Sequence, residues 1–179
     1  YFFLLTSSFA QVSDYAYTDA EASAMAGAVV AEEGGDWSIF HNPAGLTEIN
    51  ETHFSTGGYK LYGFNWLPFY HLNGTIPIPI FGKTGFSIQQ LETKYDGAVL
   101  STEQTISIAQ GFDLQHDKNS RLSIGYTANF VQWDMAKSAG ISGDGTYGLA
   151  LGSVNAVTID LGVLASLREK YRFGIFLKN

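Results

Sequence analysis

"TISIAQGFDLQHDKNSRLSIGYTANFVQW", residues 105–133, decides the fold. Ile106, Ile108, Phe112 and Leu114 alternate with Thr105, Ser107, Ala109, Gly111, Asp113 and Gln115. Beyond "HDKN" the alternation resumes, with Leu122, Ile124, Tyr126, Ala128 and Phe130 opposed to Arg121, Ser123, Gly125, Thr127 and Asn129. Successive side chains of a strand point to opposite faces, so period two predicts two strands. The short polar link makes them one long antiparallel hairpin.

The pattern extends in both directions. "AVTIDLGVLAS" (156–166) and "YRFGIFLK" (171–178), joined by "LREK", set Val157, Ile159, Leu161, Val163, Tyr171, Phe173, Ile175 and Leu177 against Thr158, Asp160, Gly162, Arg172, Gly174 and Lys178. Upstream, "YHLNGTIPIPI" (70–80) groups Tyr70, Leu72, Ile76, Ile78 and Ile80, and Pro77 and Pro79, which cannot donate to a ladder, belong at a strand end. Seven strands are predicted near 52–58, 70–80, 85–94, 104–115, 121–133, 155–166 and 171–179. Short turns near 82–84, 116–119 and 167–170 alternate with longer loops near 59–69, 93–103 and 135–150. Short turns at one end and long loops at the other are the habit of outer-membrane barrels.

A soluble sandwich alternates in the same way, so the polar face must discriminate. A solvated face favours Lys, Glu and Thr. Here four successive strands carry Gly111, Gly125, Gly162 and Gly174 on the polar side. Glycine weakens a strand, and its repetition predicts that another backbone lies close to that face. A barrel lumen with an internal plug supplies such a backbone, and these glycines, with Asp160 and Arg172, are the predicted lumen-facing residues. Runs of this length fit the roughly 9–11 residues with which a tilted strand crosses a bilayer. Single-chain bacterial barrels have even strand numbers, and an open edge cannot face hydrocarbon. Seven strands therefore predict a chain that stops about halfway round.

The N-terminal part supplies the candidate plug. "TDAEASAMAGAVVAEE" (18–33) places Thr18 and Glu21 at capping-box spacing, runs on in alanine and ends at Gly34-Gly35, predicting a short helix with small side chains. "DWSIFHNPAGLTEIN" (36–50) follows. Asn42 first, Pro43 second, Ala44 third and Gly45 fourth fit a type I turn. Pro43 also biases Asn42 away from helical geometry. Trp37, Ile39, Phe40 and Leu46 are predicted to pack around that bend. The first ten residues, "YFFLLTSSFA", read as the end of a signal-peptide apolar region, with Ser8 and Ala10 before a cut at Ala10-Gln11. The expected organisation is a signal remnant over 1–10, a hatch over 11–50 and barrel strands over 51–179.

Composition narrows the function classes. Charged residues are 15%, the net charge is −7, and the ten Lys and Arg are dispersed along the sequence, so no basic run exists to grip nucleic acid. There is no Cys, which removes disulfides, thiolate metal sites and Cys nucleophiles. Past the first residues, no apolar run approaches the roughly 20 residues of a membrane helix. "GDGTYG" (143–148) has G-x-G-x-x-G spacing, but it lies in a loop before a strand, whereas a dinucleotide site needs a helix N-terminus behind it. His41, His53, His71 and His116 lack metal-ligand spacing. Glu32, Glu33 and Asp36 could hold a cation near the plug, but a solvated acidic turn is the usual explanation. No Ser or Thr stands in a recognisable nucleophile setting, so neither catalysis nor a cofactor is expected.

The Ala-rich segment followed by "DWSIFHNPAGL", with hairpins closing on "TIDLGVLASLREKYRFGIFLKN", resembles the FadL-like outer-membrane superfamily, especially its PorV/PorQ branch. Asn42-Pro43-Ala44 resembles the hatch of FadL-type transporters. Asp160-Leu161-Gly162 with Phe173, Gly174 and Asn179 looks like the PorV-type strand pair. Phe40-His41 ahead of the hatch motif departs from the pattern. The resemblance implies an all-β fold: an antiparallel transmembrane β-barrel of about 14 strands, an even number as such barrels require. This chain would be its N-terminal half, with a hatch containing short helices. The resemblance also implies residence in the outer membrane of a Gram-negative bacterium, in contact with its lipid. Two roles are implied: carriage of hydrophobic small molecules through the lumen, or PorV-like binding of exported proteins in type IX secretion. A secreted soluble β-domain remains the alternative from a different class.

Overall fold

The structure is a computed structural model and describes residues 19–32, 34–78, 82–138, 147–168 and 170–178. The signal-like stretch 1–10 lies outside these residues, as do Thr18, Glu33, Pro79, Ile80, Asn179 and most of the "GDGTYG" loop. Seven antiparallel strands form one sheet in sequence order: β1 (His53–Lys60), β2 (Pro68–Ile78), β3 (Gly82–Tyr95), β4 (Ala98–His116), β5 (Ser120–Lys137), β6 (Ala150–Leu167) and β7 (Tyr171–Leu177). The fold is all-β, a curled half-barrel with a few short helices at its N-terminal side.

Strands β3 to β6 overrun the sequence boundaries, most of all β4 with 19 residues and β5 and β6 with 18 each. At about 3.3 Å per residue these three are ~60 Å long. The expected loop at 93–103 is instead a tight hairpin. Asp96 and Gly97 both have positive φ, 45° and 79°, the pattern of a two-residue turn whose twist matches the flanking strands, and Tyr95 pairs directly with Ala98. The turn expected at 82–84 is also displaced, because Gly82 already pairs with Ile78 and Lys83 with Pro77. Pro77 sits next to the end of β2, where a missing N–H costs least. The turn over 117–119 is as expected, and β6 and β7 end and begin at Leu167 and Tyr171, on either side of the other expected turn.

The predicted 16-residue helix shrinks to α1, Ala20–Ala24, capped by Asp19, whose carboxylate accepts from Ala22 N–H. It ends because Ala26 and Gly27 turn left-handed, at φ 52° and 82°. Alanine-sized side chains bury too little area to hold a longer helix against that break. α2 (Ser38–His41) and a 3-10 helix (Pro43–Glu48) follow.

The sheet's two faces differ in kind. The convex face carries Ile106, Ile108, Tyr126, Phe130, Val157, Ile159, Phe173 and Ile175, all exposed, with Val157 at 72%, Phe173 at 68% and Ile108 at 56%. The concave face buries Asn73, Thr75, Ser87, Gln89, Thr105, Ser107, Thr127 and Asn129. This reverses the arrangement of a soluble sheet, in which the buried face is the apolar one. Two small apolar clusters lie on the inner side: Ile39, Phe40, Leu46, Ile49 and Ala109, and Leu61, Leu67, Phe69 and Leu91. Trp37 packs against both.

Candidate functional site

Gly111 pairs with Gly125, and Gly125 pairs with Gly162, so three adjacent strands present glycine at one level of the concave face. The result is a trough without side chains, and the Asn42-Pro43-Ala44 bend lies in it. A Cβ added at Gly111 would stand 2.9 Å from the Pro43 carbonyl oxygen. One at Gly125 would stand 2.5 Å from both Ala44 N and the Pro43 oxygen, and one at Gly162 would meet the Asn42 side chain and Pro43 Cδ. Gly174 is aligned with Leu164, outside the trough, and there the close neighbour is the Val30–Ala31 backbone, with Ala31 N 2.8 Å from an added Cβ.

Asn42 is the node of this contact. Its backbone is extended, with φ −172° and ψ 105°, as a residue before proline prefers. Its side-chain oxygen accepts from Ala44 N–H at 3.1 Å, capping the 3-10 helix, while Nδ2 donates to the Val30 and Val163 carbonyls at 2.7 and 3.0 Å. One buried amide therefore ties the bend to an earlier part of the segment and to β6. The expected type I turn is only the first turn of the helix. Gly45 N–H reaches the Asn42 carbonyl at 2.9 Å, and the same i→i+3 bonding continues as far as Ile49 N–H on Leu46. Ile39 and Leu46 are fully buried and Phe40 is 8% exposed, with Trp37 against them. Gly85 completes their seat, since a Cβ there would lie 2.7 Å from Ile39 Cγ1.

Asp160 and Arg172 are both inward, yet the register does not bring them together. Arg172 pairs with Ser166, six positions along β6 from Asp160, or ~20 Å at strand rise. Asp160 accepts from Asn129 Nδ2 at 2.7 Å within a polar row in which Ser107 donates to Asn129 Oδ1 at 2.6 Å. Arg172 lies 3.4 Å from Glu48 at the end of the 3-10 helix.

Arg121 is the residue that sequence reasoning placed on the correct face without singling it out. Its guanidinium grips Asp113 through two bonds of 2.7 and 2.9 Å, donates to the Thr47 carbonyl at 2.6 Å and stands 3.8 Å from Glu48. Thr47 adds a 3.0 Å bond to Ser123, and Thr127 donates to the Ile39 carbonyl at 2.8 Å. The signal available in sequence was an inward Arg and an inward Asp flanking the turn of one hairpin. Arg121→Lys keeps the charge but not the planar fork. It is expected to cost about 1.5–3 kcal/mol, the worth of hydrogen bonds to charged groups. Urea unfolding of the folded protein measures this, and an unchanged midpoint would assign the contact no energetic weight.

Asp19, Glu21, Glu32 and Asp36 line a second inner cleft of about 260 Å³ with His41 and Asn42. Burial, and after it a hydrogen bond with Glu21, holds the Glu32 carboxyl above its ordinary range. Among the described residues no group of three or more His, Asp or Glu is placed to hold a metal ion. His41 and His71 stack or tilt against Trp37, at 6.2 and 4.9 Å between ring centres, while His53 and His116 lie on the surface. No helix among the described residues is long and apolar enough to cross a membrane, which has no bearing on strands. No family model matches the chain, and no curated protein and no solved structure is significantly similar to it.

Proposed function

We propose that the chain forms part of an outer-membrane β-barrel of FadL/PorV type, which carries hydrophobic compounds through a lumen plugged by the segment ending at Ile49. The observation that carries this reading is the inverted sheet. Exposed apolar side chains stand on every strand of its convex face, and the polar, glycine-lined concave face holds a folded segment of the same chain. Lipid satisfies such an exterior at no cost, whereas water penalises each buriable apolar side chain by about 1.5–3 kcal/mol.

A hydrophobic cargo is favoured over a polar one by the concave wall on the loop side of the plug. There Trp133 pairs with Val154 on the inner face, 47% and 60% exposed, beside Val131 and Ala156, with Glu103 of β4 as the acidic neighbour across from Trp133. Apolar side chains facing the interior above a polar belt suit a molecule that leaves water on entering.

Two measurements test the reading separately. The full-length protein is expected to stay with outer membranes through a urea wash and to migrate differently on gels before and after boiling; recovery in the aqueous fraction would reject the barrel. Deleting the gene is expected to lower uptake of a long-chain fatty acid or aromatic hydrocarbon severalfold. Unchanged uptake, with crosslinks to exported proteins sharing a C-terminal signal, would replace transport with the secretion role.

A further inference from the structure

Among the described residues, hydrogen bonds fasten the plug to β5, β6 and β7, through Thr127, Ser123, Arg121, the Val163 carbonyl and Arg172. Toward β2 and β3 it offers the apolar side chains of Trp37 and Ile39, set against His71 and Gly85. Yet the wall there is polar. Ser55 pairs with Asn73, His71 with Gln89, and Thr75 lies two residues along β2, all on the concave face. Ser55 Oγ, His71 Nδ1, Asn73 Nδ2, Thr75 Oγ1 and both amide atoms of Gln89 are buried without a protein partner. Asn73, Thr75 and Gln89 are 0, 1 and 2% exposed. By contrast the polar row on β4–β6 is closed on itself through Ser107, Asn129, Thr158 and Asp160.

Buried native polar groups are almost always paired, with protein or with ordered water, and an orphan costs about 1–3 kcal/mol. Six orphan atoms on one contiguous patch, none of them reached by a hydrogen bond from the plug although Asp36 and Trp37 lie beside His71, are a site that expects small hydrogen-bonding molecules. We infer that the seam between the plug and β1–β3 is a hydrated path that admits water and small uncharged polar solutes past the plug. The donors and acceptors are amides, hydroxyls and an imidazole, which suits neutral solutes. This inference rests on the plugged-barrel reading but not on the cargo proposed for it.

The sequence has no cysteine, so single Cys variants of the full-length protein can be probed in native membranes. The probe is 2-hydroxyethyl methanethiosulfonate, a small neutral thiol reagent. Thr75→Cys and Gln89→Cys on the seam are expected to react about tenfold or more faster than Ser107→Cys and Ala109→Cys, which are equally buried on β4, because water and reagent reach the seam and not the closed row. Thr75→Cys is nearly isosteric and reads the seam even if Gln89→Cys misfolds. Equal, slow labelling at all four sites in folded protein overturns the seam. Ile108→Cys on the convex face reports on the barrel alone. Lipid should shield it from the reagent, and rapid labelling there would sink the barrel reading whatever the seam does.

Discussion

Gly125→Ala is expected to lower the stability of the folded protein by about 1–3 kcal/mol, the usual cost of overfilling a packed site. One methyl group suffices because what it meets is backbone. The Pro43 carbonyl and Ala44 N cannot rotate away as a flexible side chain would, so the bend must lift out of the trough or β5 must bow. Gly111 and Gly162 flank the position, and substitution at either strikes the same bend from the neighbouring strand. The control is Gly35→Ala, where an added Cβ meets nothing within 4 Å. That change should stay within about 0.5 kcal/mol of the parent, as surface substitutions do. Unfolding midpoints in urea compare the two. Equal midpoints would show that the segment does not rest in the trough.

The second large effect is expected at Asn42. Asn42→Ala removes the cap on the 3-10 helix and leaves the Val30 and Val163 carbonyls without their donor, for a combined cost of about 2–4 kcal/mol. Asn42→Asp is the sharper experiment. Aspartate caps as well as asparagine does, so the helix start is preserved while both donors are lost. A carboxylate then faces two carbonyl oxygens in a site only 3% exposed, where an unpaired charge is strongly disfavoured. Asp at 42 should therefore be at least as damaging as Ala at neutral pH, and acidification should relieve part of its defect. If Asp is instead tolerated like a simple cap, the ties to Val30 and Val163 contribute little.

Much of this arrangement was legible because a strand's period of two is a geometric fact. Once the apolar set of each strand, Ile106, Tyr126, Ile159 and Phe173 among them, is assigned outward, Gly111, Gly125, Gly162 and Gly174 are forced inward. That several inward glycines meant a close backbone was also legible. Which backbone atoms approach was not, because pairing register depends on turn closure. The Asp96-Gly97 dipeptide shows the difficulty: its left-handed pair closes a hairpin directly, yet the polar residues around it resemble a loop. The extent of α1 depended on competition between alanine's helix propensity and the break at Ala26-Gly27, where weak propensities decide little. Arg121 was legible as inward. Its partner Glu48 lies 73 residues away in sequence, on a segment that only the tertiary fold brings to it.

The aligned glycines also constrain the order of assembly. Every strand pairing in the sheet joins consecutive segments, so the hairpins can zip from local contacts. The trough, in contrast, does not exist until β4, β5 and β6 stand in register, and the bond from Asn42 to Val163 closes a span of 121 residues. Residues 42–44 are made by the ribosome before any strand, yet they have no resting place until the sixth strand has joined. The bend thus settles only after strands synthesised later than itself have paired, and is a passenger until then.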